Sequence, residues 1–213
     1  MKIVLIGEGG HSKVIKDMID RADGYELIGY LDDKYDGTIV KSHLFFAPLS
    51  IVSDLLEQFK DIKFIVAIGN NHIRKKVVEE LNIPDSYYVS VIHPSSIISP
   101  SIKIGVGTVV MPSTVINADA KIGRHSIINT ASVIEHDSEI GDFVHISPHA
   151  TLTGAVKVDE GTHVGAGSTL IPNVNIGEWS VIGAGATVIN NIQSHSLAVG
   201  TPAKMKKIGI GDV

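Results

Sequence analysis

His136 and Asp137 are adjacent residues of the types that move a proton near neutral pH. An imidazole titrates near pH 6.5 when unperturbed, and a neighbouring carboxylate can raise its basicity and fix its tautomer. Asn129, Glu135 and His145 lie close by in the chain, and His163 follows eighteen residues after His145. His145 and His163 could hold a metal together, with His149 nearby. Alternatively, His145 donates a hydrogen bond to a thioester carbonyl and His163 serves packing. The 213 residues include no cysteine, so thiolate nucleophiles, thiol acyl-enzymes and zinc-thiolate sites are excluded. Any group transfer must use another nucleophile or pass directly between two bound substrates.

A second group of candidates opens the chain. Lys2 to Ile6 reads as a buried strand, followed by Gly7, Glu8, Gly9, Gly10, His11 and Ser12 and then a helical pattern through Val14, Ile15, Met18 and Ile19. Such a turn sets backbone N–H groups and a helix N-terminus against phosphate, although Ser12 replaces the third glycine of GxGxxG. A strand from Glu26 to Leu31 ends in Asp32 and Asp33, whose carboxylates can accept hydrogen bonds from a ribose or base. A helix around Ile51 to Phe59, a strand from Phe64 to Ile68, and a helix capped near Gly69, Asn70 and Asn71 and running to about Leu81 follow. Three strands make half of a dinucleotide-binding sheet and suit a mononucleotide better than NAD.

The element that must position His136 is a repeat. From Ile98 to Val188 every sixth residue is Ile, Leu or Val, and two positions earlier, from Ile102 onward, the residue is small or β-branched. A period of six fits a coil of short strands joined by corners, each strand sending one aliphatic side chain inward, with three hexapeptides per turn. Residues just before these plugs point outward and sort into three faces. The first shows Ile97, Val115, Val133, Thr151, Thr169 and Thr187; the second, Lys103, Lys121, Glu139, Lys157 and Asn175; the third, Val109, Ile127, His145, His163 and Val181. Two uncharged faces beside a charged one predict head-to-tail contact with neighbouring copies, for which a homotrimer is the simplest closed ring. His145 and His163 should then stack at the inter-strand spacing of about 4.8 Å and face the neighbour. His136 falls two residues after a plug, at a corner whose equivalents are Pro100, Ala118, Gly154 and Pro172.

These patterns divide the chain at Pro94, after a short strand from Tyr88 to Ile92. They give an α/β half-Rossmann (βαβαβ) domain over 1–93, a parallel β-helix of hexapeptide repeats over 94–191, and a tail over 192–213 that folds across the last coil. The tail carries Lys204, Lys206 and Lys207, which either approach an anionic ligand or are solvated. A net charge of −5 without a Lys/Arg cluster argues against nucleic acid. The apolar run Ile3 to Ile6 is too short for a signal peptide or membrane span, which makes a cytoplasmic protein without membrane insertion the expectation.

The chain resembles the PglD-like and NeuD-like hexapeptide acyltransferases of bacterial surface sugars. The likeness rests on Gly9-Gly10-His11, Leu31-Asp32-Asp33, Gly69-Asn70-Asn71, Asn129-Thr130, Ile134-Glu135-His136-Asp137, Phe143-Val144-His145-Ile146-Ser147 and Gly200-Thr201-Pro202-Ala203-Lys204. The resemblance implies a left-handed β-helix and a homotrimer with active sites between subunits. It further implies transfer of acetyl from acetyl-CoA, without a metal, to the amine of a UDP-linked amino sugar in surface or exopolysaccharide synthesis. It makes His136 the catalytic base, tuned by Asp137 where the family usually has Glu. It sets His145 at the acetyl-CoA thioester, Ala166 and Ala184 along the pantetheine arm, and Gly9, Gly10, His11, Asp32, Asp33, Gly69 and Asn129 at the nucleotide sugar. Sugar O-acetylation of the NeuD type, a β-helical metalloenzyme and a non-catalytic scaffold are the other readings.

Overall fold

A computed structural model describes residues 1–206; Lys207 and the rest of the expected tail lie outside the described residues. The repeat forms a left-handed β-helix whose two-residue strands pair in parallel with the strands eighteen residues before and after them, as in Val115 with Val133 and Thr151 with Thr169. Its interior is the column of plugs. From Val110 to Val188 none of them is more than 4% exposed, while Ile98 and Ile104 pack partly buried at the first rung.

Where the small residue before a plug carries a hydroxyl, it can bond between rungs, as at Thr108 and Ser126. The Thr108 hydroxyl donates to the Gly123 carbonyl (2.7 Å) and accepts from the Ser126 N–H (3.0 Å); Ser126 repeats both contacts with Gly141 and Val144. A larger apolar side chain would leave those buried backbone groups unpaired, at about 1–3 kcal/mol each. The corners turn through the left-handed region once per hexapeptide, at Asp119, His125, Ala131, Asp137 and Phe143 among others.

The α/β part is a sheet in the order β3-β4-β2-β1-β5, built from β1 (Lys2–Ile6), β2 (Glu26–Leu31), β3 (Ile39–Lys41), β4 (Leu44–Ala47) and β5 (Ile62–Val66). β1 pairs in parallel with both β2 and β5, and β2 in parallel with β4. Helices α1 (Gly10–Ile19), α2 (Val52–Gln58) and α3 (Asn71–Leu81) complete it. The β3–β4 hairpin was not foreseen, and β5 starts and ends two residues earlier than expected. Instead of a strand from Tyr88, a 3-10 turn occupies Asp85–Tyr87 and Tyr88 makes one bridge to Phe64. Val91–Ile92 already pairs with Val109–Val110, so the third-face sheet begins before Pro94. At the other end Leu197–Val199 extends the same sheet beside Val181–Ile182.

One expectation is overturned. The third face does not wait for a neighbouring copy, because the chain's own α/β part covers it. Val109 and Met111 share a buried core with Ile3, Leu5, Ile15 and Ile65. Arg74, 1% exposed, locks the two parts together. Its guanidinium donates to the carbonyls of His125 (2.7 Å) and Phe143 (2.7 Å) on the coil and of Ile68 (2.9 Å) on its own side, and to Asn71 Oδ1 (2.8 Å). Asn71 Nδ2 in turn donates to the Gly161 carbonyl (2.9 Å). Burial without a carboxylate partner brings the Arg74 pKa down to about 9. Among the described residues no helix is long and apolar enough to cross a membrane.

Candidate active site

His136 projects from the corner between first-face strand Val133–Ile134 and second-face strand Glu139–Ile140. This is the edge of the triangular coil opposite the covered third face. Its Nδ1 lies 2.8 Å from Asp137 Oδ2, and this hydrogen bond raises the imidazole pKa above its ordinary value, with Glu135 adding to the effect. Asp137 reaches the ring despite being shorter than Glu, from a corner backbone that turns left-handed with φ of 59°. The ring overhangs Gly154 one rung up. A Cβ there would come within 2.8 Å of His136 Cε1 and Nε2. The imidazole is 62% exposed, with Nε2 free to meet a substrate.

His145 and His163 stack as the repeat requires, with ring centroids 4.8 Å apart and 5° between planes. With Gly69, Asn70, Asn71, His72 and Trp179 they line a cavity of about 410 Å³ beneath the α/β part. Desolvation, followed by the nearby charges of His163 and Arg74, pushes His145 down to about 3, so its ring is neutral. His163 is lowered by desolvation and by Arg74. Asn129, grouped through the resemblance with the nucleotide-sugar residues, contacts His145, its Nδ2 lying 3.1 Å from Nε2. Ala166 and Ala184 are exposed at successive corners between the third and first faces, above Thr130 and Pro148, forming an open track along that edge.

The remaining candidates converge on a cavity of about 560 Å³ in the α/β part, lined by Gly9, Gly10, His11, Asp32, Asp33 and Gly69 together with Glu8 and Lys34. No atom lies within 4 Å of where a Cβ would sit on Gly9, Gly10 or Gly69. Packing therefore does not explain these glycines, whereas close approach of a ligand to backbone does. Asp32 accepts from the Glu8 N–H (2.8 Å) and Asp33 Oδ1 from the Leu49 N–H (2.9 Å), so both carboxylates also tie down the rim. His11 is half-buried, is pushed down to about 4 chiefly by desolvation, and has a buried Nε2 without a partner. Sequence reasoning missed Lys34, whose ammonium pairs with Glu8 Oε2 (2.6 Å) beside the N-terminus of α1. It also missed Arg74, which reads in sequence as one more charge on a solvated helix.

Two family models match the chain: the PglD N-terminal domain over residues 2–81 and the bacterial transferase hexapeptide (six repeats) over 119–154. A 107-residue stretch is 44% identical to UDP-N-acetylbacillosamine N-acetyltransferase of Bacillus subtilis (strain 168) and spans 50% of each protein. Among solved structures, a perosamine N-acetyltransferase variant from Caulobacter crescentus, in complex with CoA and GDP-perosamine, is 36% identical over 98% of both chains, with a TM-score of 0.88. The acetyltransferase domain of PglB from Neisseria gonorrhoeae, in complex with acetyl coenzyme A, is 32% identical over 96% of this chain and 98% of that one, with a TM-score of 0.83. Because this likeness runs through both the α/β part and the coil, the chain belongs to the PglD-like hexapeptide-repeat sugar acetyltransferases.

Proposed function

We propose that this protein transfers acetyl from acetyl-CoA to the amine of a nucleotide-linked amino sugar, in the cytoplasm, with UDP as the nucleotide and an exopolysaccharide or surface glycan as the destination. The glycine-lined cavity takes the nucleotide, with Lys34 and the α1 N-terminus beside its diphosphate. Acetyl-CoA lies along the edge carrying Ala166 and Ala184. The UDP assignment is supported by the 44% identical Bacillus subtilis relative, whose name carries that nucleotide.

His136 Nε2 removes a proton from the sugar ammonium or from the attacking amine. The nitrogen bonds to the thioester carbon, the carbon–sulfur bond breaks, and the departing thiolate takes a proton, leaving an amide and CoA. Neutral donors at the carbonyl oxygen steady the tetrahedral intermediate.

One observation carries the quaternary part of this reading. His136 stands on the coil edge opposite the third face, while the nucleotide cavity belongs to the domain lying on that face. Base and cavity can meet only when an adjoining copy supplies one of them. A homotrimer, with the mostly uncharged first face turned inward, provides three such meetings.

The test is incubation with acetyl-CoA and paired UDP sugars bearing an amine or a hydroxyl at the same carbon. A mass gain of one acetyl on the amine sugar alone is expected. Acetylation of the hydroxyl sugar alone would replace this reading with O-transfer.

A further inference from the structure

The two stacked histidines make the same contact one rung apart. Each reaches back sixteen residues to a polar side chain on the rung below: His145 Nε2 to Asn129 Nδ2 at 3.1 Å, and His163 Nε2 to Ser147 Oγ at 2.7 Å. The Asn129 amide has only one orientation that satisfies its neighbours. Its Oδ1 accepts from the Thr130 N–H (2.8 Å), with the Thr130 hydroxyl at 3.3 Å, which turns Nδ2 toward the ring. An amide nitrogen only donates, so Nε2 of His145 must accept, and a neutral ring then carries its proton on Nδ1. Nε2 of His145 is therefore spent inside the protein. Asn129 keeps its second amide hydrogen at the edge where Thr130, Pro148, Ala166 and Ala184 follow one another from rung to rung.

We propose that His145 is a positioning residue acting through Asn129, whose remaining amide hydrogen is the donor presented to the acyl carbonyl oxygen of the thioester. The arrangement reverses the expectation that His145 itself donates. It also gives the half-buried neutral imidazole a purpose: a charged ring would carry protons on both nitrogens and turn the Asn129 amide away. The proposal rests on the acyl-transfer reading for its substrate, but its geometric half stands without it.

Both halves can be measured on the full-length protein. With histidine labelled in ¹⁵N, long-range proton–nitrogen correlation at pH 7.5 should show His145 neutral and protonated on Nδ1, the minor tautomer of free histidine. Asn129→Ala should move the proton to Nε2. In steady-state assays Asn129→Ala should lower kcat by about 100-fold, as loss of one oxyanion donor does elsewhere, with KM for acetyl-CoA changed less than about threefold. Asn129→Asp keeps the acceptor for Thr130, and with it the local fold, but replaces the donor; it should lose as much. His145→Phe keeps the stack on His163 and should lose about 10-fold. Wild-type His145 protonated on Nε2 would overturn the proposal whatever the activity. So would undiminished kcat in a folded Asn129→Asp protein. Failure of every amine sugar to react, with the Nδ1 tautomer present, would count against the acyl-transfer reading and hence against the donor role, leaving the positioning geometry intact.

Discussion

Nδ1 of His136 and Oδ2 of Asp137 are 2.8 Å apart on the open edge of the coil, and this contact fixes the state of the ring. With Nδ1 holding its hydrogen toward the carboxylate, Nε2 is the nitrogen that can accept a proton from a substrate.

The acid limb of kcat/KM should therefore lie above pH 6.5, because Asp137 raises the pKa of a base that works only when deprotonated. Asp137→Asn should move that limb to lower pH and reduce the plateau about 10-fold, the base being weaker. A pH–rate profile of both proteins checks the sign; an acid limb that does not move would separate Asp137 from the base.

Gly154→Ala should act on His136 alone. The added methyl meets the ring, the end of an exposed side chain, so the ring swings aside and the rung remains. We expect a kcat loss of 10-fold or more with the melting temperature nearly unchanged, since a misplacement of about 1 Å can cost 100-fold. Assay and calorimetry on one preparation would show the split.

Arg74→Met should strand the carbonyls of Ile68, His125 and Phe143 and the amide of Asn71 at the seam between domain and coil. Loss of about 3 kcal/mol or more is expected. Hydrogen exchange should show the α/β part loosening while the coil keeps its protection. Arg74→Lys should recover only a part, because an ammonium cannot span acceptors on both sides.

His125 gives the stability a pH dependence. Its ring is 1% exposed, stacks on Phe143 with centroids 5.3 Å apart, meets Tyr88 edge-on, and has no partner for either nitrogen. Desolvation, then Arg124, pushes its pKa down to about 4. Between about pH 6.5 and 4 the unfolded chain binds a proton that the folded one refuses, so stability falls as pH falls, by up to roughly 3 kcal/mol from this residue. His125→Phe should remove that share of the slope in urea titrations at pH 7 and pH 4.5; an equal slope in both proteins would place the effect elsewhere.

The coil was legible because each plug obeys one rule, and the rule fixes register: His145 and His163 had to stack, and they do. The α/β part was legible where a strand ran into glycine or aspartate, at Gly9 and Asp32, but not at Ile39–Ala47. There β3 is exposed throughout, and its pattern does not alternate. What covers the third face could not be read, since Val109, Ile127 and His145 suit a domain roof and a neighbouring copy equally. The deciding residue, Arg74, declares itself only through carbonyls, which sequence does not display.

Complementation between two inactive chains tests most directly whether base and nucleotide cavity come from different copies. His136→Ala lacks the base but keeps the cavity, whereas Gly10→Phe fills the cavity and keeps the base. Each should be inactive alone, and coexpressed in equal amounts they should recover about one quarter of wild-type activity, the share of sites pairing two intact halves in a ring of three. A co-assembled mixture as inactive as its parents would contradict the account.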